Sequence, residues 1–400
     1  MSSPSITSHQ DNILFVVCQT GRGNGGVESI TLVIERLKKF NPVILTNLDL
    51  PINQRWKRSE AKIYLRPSLH DQHSKKQINI FSLIFSEIVR WIKNNFYCYQ
   101  LIHQLKIDLV HFNDIQGAFQ SILGAKLGGA KIVFNIRDTK SSAESYTWQW
   151  HFVAQLSDKI LVLSQEMQTF IQQALKMDNQ KDKLSYVYSS INLKRFRPIS
   201  SDKRKQLRLN LGIEEKTFAI GYVASVSPKK NQLELIRKSG SLMASKLPKS
   251  RLYLIGNFNP DTDDYAKQCQ ESVFELGIDN YVNFTGYYSS VEDWYQSVDV
   301  IIVVSVREGL ARCMIESLAC GTPVISFSVC SAKEILINNN CGKVVSSGDY
   351  ISLTNTLSEL YNNPELMEYF REQSVKTSHL LFSESNIGKY EKLYSTLISL

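Results

Sequence analysis

Four hundred residues exceed the ~150 that one ordinary domain uses and predict two to three domains with sizeable cores. Apolar residues at 43% and charged residues at 21% exclude a disordered or fibrous chain. The excess of 46 Lys and Arg over 38 Asp and Glu, a net charge of +8, favours anionic partners without choosing among phosphates, nucleic acid and acidic lipid.

Residues 1–12 are polar and lack the basic-then-apolar pattern of a secretory leader, so residence in the cytoplasm is expected. A first strand is predicted over 13–18, then a glycine-rich loop at 21–26. A helix over 27–40 follows, with Ile30, Val33, Ile34 and Leu37 at helical spacing. Further strands are predicted at 43–46, 61–65, 109–112, 131–136, 159–163 and 184–187. Between positions 78 and 99, Phe81, Ile84, Phe85, Ile88, Trp91 and Ile92 form an apolar stripe flanked by Lys75, Lys76, Arg90 and Lys93. It reads either as a peripheral membrane helix or as a core helix with a solvated basic face.

The same rhythm restarts with strands at 218–223, 252–255, 282–284, 300–304, 323–327 and 342–345. Such alternation builds parallel sheets covered on both faces, so the fold class is α/β with two Rossmann-like, doubly wound domains. Pro198, two serines and several charges place the junction within 192–202. The chain thus divides into 1–195, 196–383 and a final helix over 384–400. Ile387, Tyr390, Leu393 and Leu397 share one face of that helix, which could pack back on the first domain. Seven scattered cysteines without a C-x-x-C pair read as buried, reduced thiols.

The loop Gly21-Arg22-Gly23-Asn24-Gly25-Gly26 contains a G-x-G-x-x-G between strand and helix. Its glycines let a phosphate approach the backbone, and Asp49 falls where a ribose-binding acid would sit in a nicotinamide enzyme. A tight turn without a ligand is the alternative. In the second half Glu308 and Glu316 stand eight positions apart, directly after an apolar strand. A helix starting near Leu310 would point its free N–H groups at the carboxyl edge of the sheet, where an anion belongs.

The run 308–325, the upstream 299–305 and the downstream Glu334-Ile335 and Gly342-Lys343-Val344-Val345 resemble family 4 of the retaining glycosyltransferases, which has the GT-B fold. Gly25-Gly26-Val27-Glu28 is similar to that family's N-terminal glycine loop, Phe196-x-Pro198 to its domain junction, and 224–231 to its diphosphate-binding turn. Gly286, Tyr295 and Asp299 follow the family's spacing. The resemblance implies a metal-independent, cofactor-free transfer of a sugar from a UDP- or GDP-linked donor to a glycan or lipid-linked acceptor. Anomeric configuration would be retained, at the inner membrane face or in the cytoplasm, with no nucleic-acid partner.

By that resemblance Glu308 would contact donor-sugar hydroxyls and Glu316 the ribose, both solvated until a donor arrives. Gly309, Leu310 and Ala311 would offer backbone N–H groups, and Lys230 would stabilise the leaving diphosphate. Arg312 would serve the same anion or face solvent, and Lys229 is expected in solvent.

Two departures stand out. Ser225 replaces a partner arginine, and Arg137-Asp138 stands where many relatives carry a histidine. Arg137 is then expected to bind a phosphate and Asp138 an acceptor hydroxyl, unless they pair with each other. His111 at a strand end could face the cleft or be packed away. The loop Asp261-Thr262-Asp263-Asp264 reads as solvated charge rather than a metal site. A sugar-nucleotide epimerase of the same fold and a non-catalytic sugar-nucleotide-binding protein are the alternative functions.

Overall fold

The computed structural model describes residues 10–20, 25–69, 80–140 and 142–400. The first domain carries β1 (Asn12–Val17), β2 (Asn41–Thr46), β3 (Lys62–Leu65), β4 (Ile107–Phe112), β5 (Lys131–Asn135), β6 (Lys159–Val162) and β7 (Leu184–Tyr186). The second carries β8 (Phe218–Val223), β9 (Ser250–Ile255), β10 (Val282–Gly286), β11 (Val300–Val303), β12 (Val324–Phe327) and β13 (Gly342–Val345). Each strand expected from the apolar runs is present, its ends within two residues of the expectation. Runs such as Ile13–Val17 and Val300–Val303 are buried throughout, as a parallel sheet covered on both faces requires.

Both sheets are parallel, ordered β3-β2-β1-β4-β5-β6-β7 and β10-β9-β8-β11-β12-β13. Each winds outward in two directions from its first strand, so a crevice opens beyond β1/β4 and another beyond β8/β11. The helices of the first domain are α1 (Gly25–Arg36), α2 (Ile52–Arg58), α3 (Ile80–Leu105), α4 (Ile115–Leu127), α5 (Trp148–Leu156) and α6 (Gln165–Ala174). In the second domain they are α7 (Ser201–Asn210), α8 (Gln232–Leu235), α9 (Ser241–Lys246), α10 (Asp264–Glu275), α11 (Val291–Ser297), α12 (Arg312–Ala319), α13 (Tyr350–Asn362) and α14 (Pro364–Leu381), and α15 (Ser385–Ile398) closes the chain.

Side chains fix where these elements meet. Asp114 caps α4 through Gly117 N at 2.7 Å and accepts from Cys18 N at 2.8 Å, which ties the end of β1 to the start of α4. Asp299 accepts from Ala219 N at 2.8 Å and pairs with Arg204, Arg208 and Arg371. One carboxylate therefore holds α7 and α14 to the edge of the second sheet. The helix expected over 384–400 does return to the first domain, because Tyr390, Tyr394 and Leu397 are buried in one core with Ile13, Phe15 and Val17. All seven cysteines are free, and six of them are buried.

The apolar stripe of α3 is not a core face. Phe81, Ile84, Phe85, Ile88 and Ile92 are exposed, while Asn94, Asn95, Cys98, Leu101 and Ile102 face inward. Trp91 is half-buried and donates to Phe119 O at 2.8 Å. The expected flank residues Lys75 and Lys76 lie outside the described residues.

Candidate active site

The two crevices face each other across a cleft of about 1130 Å³ lined by both domains. On the second domain, β8 runs into Ser227-Pro228-Lys229-Lys230, a tight helical turn ended by Asn231 at φ +67°. Asn231 offsets that left-handed backbone by donating to Val304 O at 3.2 Å and Tyr350 Oη at 2.8 Å. The Tyr222 hydroxyl donates to Lys230 O at 2.6 Å. The turn is held from three sides, and both lysines project into the cleft.

Lys230 donates to Glu308, which is 7% exposed. Burial pushes the Glu308 carboxyl up, but Lys230 and Lys229 outweigh it and leave the group below its ordinary value. Burial likewise acts to lower the Lys230 ammonium, and Glu308 overrides it so that the group is raised. Glu316, also 7% exposed, accepts from Arg312 Nε at 2.8 Å and from Tyr295 Oη at 3.1 Å. Both acids lie in the cleft, but the expectation of solvated carboxylates is corrected, since each is buried and ion-paired.

The helix after Glu308 begins at Arg312 rather than Leu310, so Gly309, Leu310 and Ala311 form the turn before it. That turn is pressed against the first domain. A Cβ on Gly309 would lie 2.5 Å from Arg137 O. Thr139 Oγ1 donates to Glu308 O at 2.9 Å, and Arg307 donates to Thr139 O at 2.8 Å. Ser331 donates to Gly309 O at 2.7 Å.

From the first domain, Gly25 opens α1 directly beneath Arg312, whose Cδ would sit 2.9 Å from a Cβ there. Arg312 crosses the cleft to donate to Ser29 Oγ at 2.8 Å, so it does not face solvent. Gly26 also lines the cleft, whereas Gly21 and Gly23 of the loop lie outside the described residues. Asp49 accepts from Asn53 Nδ2 at 3.0 Å and is not part of the cleft lining.

Arg137 and Asp138 do not pair with each other. Arg137 donates to Ser189 Oγ at 3.0 Å, and Asp138 accepts from Lys229 Nζ at 2.7 Å. Lys229 was expected in solvent; it bridges the domains instead. Ser225 lines the cleft, its carbonyl bonded by Gln232 Nε2 at 3.2 Å.

His111 does not face the cleft. It is fully buried, 2.8 Å from Tyr394 Oη on α15. Burial, with Arg137 second, lowers its imidazole to about 3, so it is neutral. In the acidic loop, Asp263 caps α10 through Tyr265 N and Ala266 N. Arg307 was missed by sequence reading although it is adjacent to Glu308, because only the facing loop 137–139 gives it a partner.

Residues 203–377 match the family model of glycosyl transferases group 1. EpsD of Bacillus subtilis is 29% identical over 212 residues, 52% of this chain and 54% of that relative. The UDP-Gal:alpha-D-GlcNAc-diphosphoundecaprenol alpha-1,3-galactosyltransferase of Escherichia coli is 20% identical over 280 residues, 68% of this chain and 70% of that relative. The chain spans about half the length of the first curated relatives it matches. Among solved structures, Anabaena HepE in complex with UDP and glucose superposes with a TM-score of 0.79 at 18% identity, over 98% of this chain and 100% of that one. The architecture is GT-B, and residues 203–377, within the second domain, are similar to glycosyl transferases group 1.

Proposed function

We propose that the chain moves a glycosyl unit from a nucleoside-diphosphate sugar to an acceptor hydroxyl, with retention and without a metal ion. The observation that carries this reading is the meeting of Lys230–Glu308 and Arg312–Glu316 in one cleft between two domains. Its volume, about 1130 Å³, lies just above the roughly 300–1,000 Å³ typical of ligand sites. That leaves room for a donor and the reacting end of an acceptor.

In this reading a diphosphate takes over the cations that Glu308 and Glu316 now hold. The released carboxylates accept hydrogen bonds from sugar and ribose hydroxyls, as ionised acids do. Lys230, Lys229 and Arg312 supply positive charge where negative charge builds on the departing nucleotide, so no metal is required for that step. Arg137 and Asp138 face the same space from the first domain and would meet the acceptor. The Escherichia coli relative is named for a diphosphoundecaprenol-linked acceptor, and a lipid-linked or free glycan is the acceptor class we assign. An epimerase would need a free acid/base pair at the sugar. Here the histidine candidate for such a pair, His111, is sealed away from the cleft.

A panel of UDP- and GDP-sugars, assayed for nucleotide release with and without glycan acceptors, tests the reading. Wild type should release nucleotide in an acceptor-dependent way, and Lys230→Ala should lose roughly 10²–10³ in kcat. Undiminished turnover by Lys230→Ala would remove the lysine's role.

A further inference from the structure

The exposed stripe of α3 demands an occupant. Phe81 is 79% exposed, Phe85 69% and Phe96 59%, and Ile84, Ile88 and Ile92 are each more than half exposed. Their spacing puts all six on one face over about 22 Å of helix. Monomeric soluble proteins seldom expose so continuous an apolar surface. Loose packing does not explain it, because the opposite face of α3 is locked to α4. A Cβ on Gly124 would fall 2.0 Å from Asn95 O, and Gly124 N donates to Asn95 Oδ1 at 2.8 Å.

Charge selects the occupant. Residues 1–195 contain 24 Lys and Arg against 15 Asp and Glu, whereas residues 196–400 contain 22 against 23. The whole positive excess therefore belongs to the domain that presents the stripe. Two copies joined through α3 would bring two such domains together, while an anionic lipid surface would offset their charge. Lys93 is exposed at the edge of the stripe.

Trp148, 67% exposed, extends the apolar surface from α5. It stacks edge-on against Phe119, which in turn meets Trp91 of α3. Two residues on, Trp150 lines the cleft. Among the described residues, no helix is long and apolar enough to cross a membrane.

We propose that α3, with Trp148 beside it, lies in the plane of an anionic bilayer and seats the first domain there, with the mouth of the cleft close to the lipid surface. Aromatic and branched apolar side chains enter the headgroup boundary, and the basic domain supplies the electrostatic part.

Flotation of the full chain with vesicles tests this. Phosphatidylglycerol–phosphatidylcholine vesicles should carry the protein, with association at least about tenfold weaker on phosphatidylcholine alone or at high salt. The triple variant Phe81→Ser/Phe85→Ser/Ile88→Ser should lose at least about tenfold in association. Phe274→Ser, an equally exposed site on the second domain, should lose none. A circular-dichroism melt of the triple variant matching wild type establishes that it folds. Equal flotation of the triple variant, flotation indifferent to lipid charge, or none at all would overturn the proposal. So would a wild-type dimer in solution that the triple variant dissociates, which would assign the stripe to a second copy.

Discussion

Lys229 and Asp138, on opposite domains, form an ion pair of 2.7 Å across the cleft. Both side chains are about one-third or more exposed, so the pair is worth only about 0–1 kcal/mol. Its effect is on geometry, since it fixes how far the lysine turn stands from the loop 137–139. Asp138→Asn should therefore change unfolding free energy by less than about 1 kcal/mol. It should also enlarge the radius of gyration measured by small-angle scattering and raise the acceptor KM. Unchanged compaction and KM would show the pair to be incidental.

The two glycines that face the opposite domain should respond differently to a methyl group. At Gly309 the new Cβ would meet backbone, 2.5 Å from Arg137 O and 3.1 Å from Asp138 Cα. At Gly25 it would meet only the flexible stem of Arg312, at 2.9 Å. Overpacking against fixed atoms costs about 1–3 kcal/mol, enough to reduce kcat/KM roughly 5- to 150-fold if it is borne by the closed form. Gly309→Ala should show that loss, and Gly25→Ala clearly less, with melting temperatures confirming that both fold.

What could be read without coordinates follows a physical division. Strands such as Val300–Val303 are legible because a doubly covered sheet writes itself as an unbroken apolar run. Glu308 and Glu316 are legible because their spacing sits at the end of such a strand. The partners of Lys229, Arg307 and Arg312 are not, because Asp138, Thr139 and Ser29 meet them only through domain packing. Likewise α3 shows its apolar periodicity in the sequence, but periodicity cannot say whether another element covers the face. His111 follows the same rule, since its burial depends on Tyr394, 283 residues away.

That burial carries a pH signature. The folded imidazole is lowered to about 3 while the unfolded value is 6.5. Between these values the unfolded chain binds one more proton than the native one, so stability rises with pH across that window and falls as acid is added. The slope from this site is about 1.4 kcal/mol per pH unit below pH 6.5 and vanishes above it. Urea unfolding at several pH values from about 5 to 7.5 should show this component in wild type and its loss in His111→Gln. A slope identical in both proteins would mean that other groups carry it.

Arg137 separates stability from function most directly. Among the described residues it forms no ion pair. Its Nε is sealed from solvent without a partner, and burial lowers its pKa, with the Tyr390 hydroxyl opposing. A cation kept in that state is poorly compensated by the protein, so replacing it with an apolar side chain of similar length should not destabilise the fold. Arg137→Met is expected to leave unfolding free energy unchanged or raise it by up to about 2 kcal/mol. If an anionic group of donor or acceptor completes the site, the same variant should lose about 10² or more in turnover. It should also move acid unfolding to lower pH, because Arg137 is one of the two causes that depress the His111 imidazole, and its loss lets that folded value rise toward the unfolded one. A variant that unfolds more easily yet turns over at the wild-type rate would make Arg137 a structural residue and leave the acceptor side of the cleft without its cation.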